Sequence, residues 1–205
     1  MRWRGILVLG VAVSALAFGI GSSGARTTVN DPVNYAGSVA NCPPGAAPRY
    51  ASVQVAINNI APGGTVNVCH GNFAAPFTLP GTKPGVTIQG MTRLSLTVGC
   101  SATGTPTAAQ DSVILGSFST IFHAADNVTV KGLVFQTGGA GTGLSFVGSN
   151  GTVTQNLFLG NDVGLSFGTP AFQSASGETV SSNCFRSNTF AGVDSLWGLA
   201  DSTIQ

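Results

Sequence analysis

Seven acidic side chains could carry chemistry in this 205-residue chain: Asp31, Asp111, Asp126, Asp162, Glu178, Asp194 and Asp201. Two carboxylates held together can protonate a leaving group while activating water or attacking a sugar carbon. No two of the acids are joined by a short Asp-x-Asp motif, so any pair has to be assembled by the fold. The best candidate pair is Asp162 with Asp194, because Asn161-Asp162 and the segment from Asn188 to Asp194 follow the equivalent phenylalanines Phe158 and Phe185. Arg186 and Lys131 are the cations to serve it. Both aspartates also fall at bends, where Asp ordinarily satisfies local backbone amides, and this is the stronger reading.

Other chemistry has less support. His70 and His123 are the only histidines and no Cys-x-x-Cys pair exists, so neither a metal site nor a cofactor is expected. His123 could join a Ser-His-Asp arrangement, but a histidine near a turn is the plainer account. Gly138-Gly139-Ala140-Gly141-Thr142-Gly143 leads into Leu144-Ser145-Phe146 at strand spacing and not into a helix, so it reads as a bend and not a phosphate cradle. Trp197 could stack on a sugar ring, although covering the lower end of the core is the plainer account. Asn127-Val128-Thr129 and Asn150-Gly151-Thr152 match the glycosylation acceptor pattern, yet asparagine at a turn accounts for both.

The elements that must position these groups repeat. Val130 and Phe135, Val153 and Phe158, and Val180 and Phe185 are pairs with one internal spacing, and their valines are 23 and then 27 residues apart. Gly-Leu-Ser-Phe occurs at Gly143 to Phe146 and again at Gly164 to Phe167, with a weaker copy at Gly192-Val193. Asn161 and Asn188 recur three positions after their phenylalanines, where a regularly wound chain would bend. A period of roughly 20 to 28 residues points to a solenoid. Within each repeat, apolar residues alternate with Ser, Thr, Asn and Gln, which is strand periodicity. The expected fold is therefore all-β, a right-handed parallel β-helix in which equivalent valines and phenylalanines stack from turn to turn. An antiparallel sandwich also has short strands, but it gives no reason for the repeat.

Met1-Arg2-Trp3-Arg4, the apolar run Ile6 to Ile20 and the small residues Ser23-Gly24-Ala25 read as a secretory signal peptide over residues 1–25. That run is shorter than the roughly 20 residues that cross a bilayer, so no membrane attachment is expected after cleavage. Beyond it, six Lys and Arg face seven Asp and Glu, since two of the eight basic residues are Arg2 and Arg4. Near neutrality argues against nucleic acid and anionic membrane as partners. Charged residues are only 7% of the chain, so its solvent faces must be Ser, Thr, Asn, Gln and Gly. Four cysteines in a secreted chain permit disulfides; Cys42 with Cys69 is the preferred bond, and Cys184 reads as a small buried hydrophobe.

Residues 26–49 lack periodicity and read as an extended N-terminal arm, leaving 50–205 as one domain. Val53, Ala56, Ile57 and Ile60 then fall at helical spacing behind Ser52, predicting one short helix that caps the open end of the core. Residues 91–111 form a long excursion whose composition suggests no chemistry. Leu199 to Gln205 begins another turn with nothing to close it, so the end is either frayed or cut from a longer solenoid.

Three segments resemble a known family: Tyr50 to Ile57, Pro62 to Phe73 and Lys83 to Gly90 are similar to the opening of pectin-lyase-like right-handed parallel β-helix proteins. That opening is shared by pectin methylesterases and many bacterial β-helix repeat proteins. Here His70 stands where the family has Pro, and Phe73 where it has Tyr. The resemblance covers residues 50–90 closely and 112–195 only as generic turns. It implies a carbohydrate-related role, either as a polysaccharide lyase, glycoside hydrolase or esterase, or as a scaffold without catalysis. The paired aspartates and arginine of pectin methylesterases have no match, so that activity is not carried over. The expectation is a secreted, non-catalytic scaffold at a surface or glycan, with polysaccharide or cell-surface glycan as partner and a polysaccharide-active enzyme as the alternative.

Overall fold

A computed structural model describes residues 31–97, 100, 104–121, 126–168, 175–195 and 199–205. Residues 1–25, read above as a signal peptide, and His123 and Trp197 lie outside the described residues.

The alternation of apolar and polar residues produces what it predicts: an all-β chain of short strands, every described pairing of which is parallel. From Ile60 onward the chain visits three sheets in rotation. The first sheet contains, in spatial order, Arg49–Tyr50, Asp31–Ala36, Ile60–Val68, Thr87–Gly90, Thr129–Lys131, Thr152–Thr154, Thr179–Ser181 and Thr203–Ile204. The second contains Gly71–Ala74, Ser112–Leu115, Val134–Gln136, Leu157–Leu159 and Cys184–Arg186. The third contains Phe77–Pro80, Phe118–Ile121, Thr142–Phe146, Val163–Phe167 and Ala191–Ser195. A two-stranded ribbon pairs Ala175–Ser176 with Leu199–Ala200.

Register turns the sequence repeat into columns. Val66, Ile88, Val130, Val153, Val180 and Ile204 are partners in succession across the first sheet. Phe73, Ile114, Phe135, Phe158 and Phe185 do the same across the second. The rings of Phe135 and Phe158 stack at 5.1 Å and those of Phe158 and Phe185 at 4.8 Å, the spacing of neighbouring strands. On the third sheet Leu144 lies beside Leu165, and Phe146 beside Phe167.

Asparagine columns mark the bends. Asn156 Nδ2 donates to Val130 O (2.9 Å) and to Asn183 Oδ1 (3.1 Å), while its Oδ1 accepts from Leu133 N–H (3.1 Å). Asn161 repeats the pattern with Phe135 O, Asn188 Oδ1 and Thr137 N–H. The residues just before these asparagines, Gln155, Ser182, Gly160 and Ser187, all have positive φ. Such a turn leaves backbone groups unpaired, and the next circuit's asparagine takes them up.

The helix forms at Val53–Asn59 with Ser52 as its N-cap, its hydroxyl accepting from Val55 N–H at 3.2 Å. Val53, Ala56, Ile57 and Ile60 are buried as the spacing predicts. Gln54 on this helix satisfies the edge of the third sheet, its side-chain amide exchanging two bonds with Thr78 (2.7 and 3.0 Å). A side chain here replaces the missing neighbouring strand.

Three readings change. Part of the segment read as an arm is built in, since Asp31–Ala36 pairs with Ile60–Val68, and Cys42 is bonded to Cys69 as expected. Cys184 is not a lone buried hydrophobe but is bonded to Cys100, 84 residues away. The excursion is a cover. Leu96, from its short helix Leu94–Thr97, joins the buried cluster of Val113, Val134, Leu157 and Cys184, an apolar column on the second sheet separate from the main core. Arg186 donates to Gly104 O (3.0 Å), and Arg93 holds buried Asp111 with contacts of 2.8 and 3.1 Å. Burial alone would raise the Asp111 carboxyl, but the Arg93 hydrogen bond and the amides of Thr107 and Arg93 outweigh it and hold it low. The two disulfides suit an oxidising, extracellular-type environment.

Replacing Asn156 by Ala leaves Leu133 N–H buried without an acceptor. Such a change costs about 1–3 kcal/mol, expected as a lower urea midpoint at unchanged slope. A loss below about 0.5 kcal/mol would show that the asparagine column does not hold the bend.

Candidate functional site

The structure separates the predicted pair. Asp162 is exposed in the bend before Val163–Phe167; its carboxylate accepts from Thr189 Oγ1 at 2.9 Å and its carbonyl from Phe190 N–H at 2.9 Å. Asp194 lies within Ala191–Ser195, beside Ser166. Val163 is level with Ala191, so Asp162 is level with Phe190, four residues short of Asp194. That offset is about 13 Å along the strand, beyond the roughly 5 to 9.5 Å that glycosidase carboxylates keep. Lys131 is in the first sheet, beside Thr154, and Arg186 in the second, beside Leu159. The two aspartates are set apart along the third sheet, and Lys131 and Arg186 belong to the other two sheets.

The acid in the least ordinary environment is Glu178, which sequence reasoning passed over. Val86, Val128, Gly151, Glu178 and Ser202 each stand immediately before a first-sheet strand, and their carbonyls accept from the N–H of Thr129, Thr152, Thr179 and Thr203 in turn along the column. Val86 and Val128 are fully buried there. Glu178 is 1% exposed, and its carboxyl reaches into the space that Gly151 leaves empty: a Cβ on Gly151 would lie 2.4 Å from Glu178 Oε2 and 2.1 Å from the Phe146 ring. The signal was available as a Val, Val, Gly, Glu column, but only with the register known.

Neither carboxyl oxygen of Glu178 has a hydrogen-bond partner among the described residues. Burial pushes the group up to about 7; the nearby Gly151 amide, short of bonding geometry, offsets this in part, and the Asp126 charge adds to it. A carboxyl poised there suits acid catalysis in an open cleft. This one is enclosed against Phe146 and Gly151, which suits it to a role inside the fold.

What remains is surface. Among the described residues no three His, Cys, Asp or Glu side chains gather, and no helix is long and apolar enough to cross a membrane. His70 is tied to the Met91 carbonyl at 3.0 Å. The second sheet is covered by the excursion, which corrects the expectation that the repeats' outer faces are uniformly polar. On the first sheet, Thr65 and Asn67, Thr87 and Gln89, Thr129 and Lys131, Thr152 and Thr154, and Thr179 and Ser181 flank buried Val66, Ile88, Val130, Val153 and Val180, and all ten are half-buried or exposed. No family model, curated protein or solved structure matches this chain.

The buried carboxyl sets a pH dependence. Its folded value lies above the ordinary 4.5, so the protonated form stabilises the fold; that stabilisation is complete below 4.5 and is lost as pH rises through about 7. Thermal melts between those values should show a falling midpoint for the native chain and a flatter profile for Glu178→Gln. Identical profiles for the two proteins would exclude the assignment.

Proposed function

We propose that this chain is an exported right-handed parallel β-helix of the pectin-lyase-like kind, acting as a non-catalytic scaffold that contacts glycan. The fold reading is supported by three parallel sheets visited in rotation and by valine and phenylalanine columns in register over successive circuits. Export is supported by the basic and apolar leader and by the two disulfides.

One observation carries the functional reading: over the five adjacent strands from Ile60–Val68 to Thr179–Ser181, the outer face of the first sheet presents hydrogen-bonding side chains in register, with Lys131 as the one charge among them. A neutral face of hydroxyls and amides complements a hydroxylated polymer, and carries no charge pattern suited to polyanions. The dispersal of Asp162, Asp194, Arg186 and Lys131 leaves the enzyme alternative without an assembled pair.

The test is incubation with neutral and uronic polysaccharides, with and without calcium. Retention on at least one neutral polymer without chain scission is the expected result. Product formation that disappears in Asp162→Asn or Asp194→Asn would overturn the scaffold reading in favour of a polysaccharide-active enzyme.

A further inference from the structure

The first sheet's outer face holds two columns that differ in kind. Each of the five strands from Ile60–Val68 to Thr179–Ser181 contributes a Thr, an inward Val or Ile, and a second polar residue. Thr65, Thr87, Thr129, Thr152, Thr179 and Thr203 are direct partners in succession. The neighbouring column runs Asn67, Gln89, Lys131, Thr154 and Ser181. Both columns share one sheet, the same strands and similar exposure, so β-propensity acts equally on the two. It explains polar outward residues in both and does not explain why one admits five residue types while the other keeps threonine on six successive strands, giving way to Val33 only on the strand beyond Thr65.

The hydrogen bonds differ in the same way. In the varied column Gln89 Nε2 donates to Asn67 Oδ1 at 2.5 Å and Ser181 Oγ to Thr154 Oγ1 at 3.2 Å. The six threonine hydroxyls have no partner among the described residues, and Thr179 and Thr203 are exposed. Strands about 4.8 Å apart place six hydroxyls along a line of about 24 Å. Threonine is stiff about χ1, so a bound ligand orders little that was free. This is a rigid row of evenly spaced donors and acceptors, each beside a methyl group.

We propose that the threonine column is the ligand-binding face, and that its occupant is an extended neutral polysaccharide lying along the column, across the strands, with about one sugar per strand. The proposal rests on the glycan-contacting reading above and specifies its site, orientation and polymer class. One sugar of an extended equatorially linked chain is close in length to one strand spacing, so hydroxyl contacts recur in step. The absence of carboxylates from either column and the methyl groups beside the hydroxyls suit a sugar's alternating polar and C–H surface.

The experiment measures binding isotherms of the full secreted chain on cellulose, chitin, xylan and β-1,3-glucan. Three forms are compared: the native chain, Thr129→Val with Thr152→Val, and Thr154→Val. Valine keeps the branched shape and strand preference, and thermal melts establish that each variant folds. The double variant is expected to bind about tenfold more weakly and Thr154→Val within about twofold of native. Native binding unchanged in the double variant overturns the column assignment and leaves the scaffold reading standing. No native binding to any of these polymers overturns both. A native chain that binds no polymer but restrains ice-crystal growth, and loses this in the double variant, overturns the glycan as occupant.

Discussion

Parallel hydrogen bonding in register, circuit upon circuit, is the constraint from which the rest follows. It sets each side chain against its own equivalent about 4.8 Å away, so whatever a position contributes is multiplied down a column. For Phe135, Phe158 and Phe185 that gives near-parallel ring stacking. For Asn156 with Asn183 and Asn161 with Asn188 it gives amide chains that collect the backbone groups freed at each bend. A buried polar residue is tolerable in such a fold when its equivalent can answer it. Glu178 shows the converse: Gly151 on one side supplies room but no side-chain donor, and protonation is the way such a group avoids a buried charge.

What could be read from the sequence was whatever repeats. The Val to Phe spacing and the recurring Gly-Leu-Ser-Phe gave registers that hold residue for residue, and Asn161 and Asn188 sit at bends as expected. The helix behind Ser52 was legible because its apolar spacing and cap are local signals. The excursion was not, because the reason for it lies elsewhere in the chain. Val134 and Leu157 make an apolar outer column on the second sheet, and only their register with Val113 and Cys184 reveals that something must cover it. The partner of Cys184 escaped notice for the same reason: Cys100 is remote in sequence and near only because the excursion folds back. The candidate pair failed on a matter of phase. Asp162 and Asp194 both follow repeat phenylalanines, but one ends a bend and the other lies well inside the next strand.

The three sheets share one pattern of construction and have different fates outside. Where the outer column is apolar, as at Val113, Val134 and Leu157, the chain spends an excursion, a disulfide and the Arg93 to Asp111 ion pair on covering it. Where outer residues are mixed polar groups, they pair with one another, as Gln89 does with Asn67. The threonine column follows neither course: from Thr65 to Thr203 it does not vary, and its hydroxyls have no partner among the described residues. A surface that needed only solubility would be served by any mixture of polar residues, as its neighbour is, and sequence drift would mix it. Uniformity over six strands is what a periodic ligand would require, because a contact repeated at a fixed spacing is lost wherever one member changes. The fold thus supplies the repeat, and under the proposed reading the composition of a single column is what fits one face to a partner with the same period.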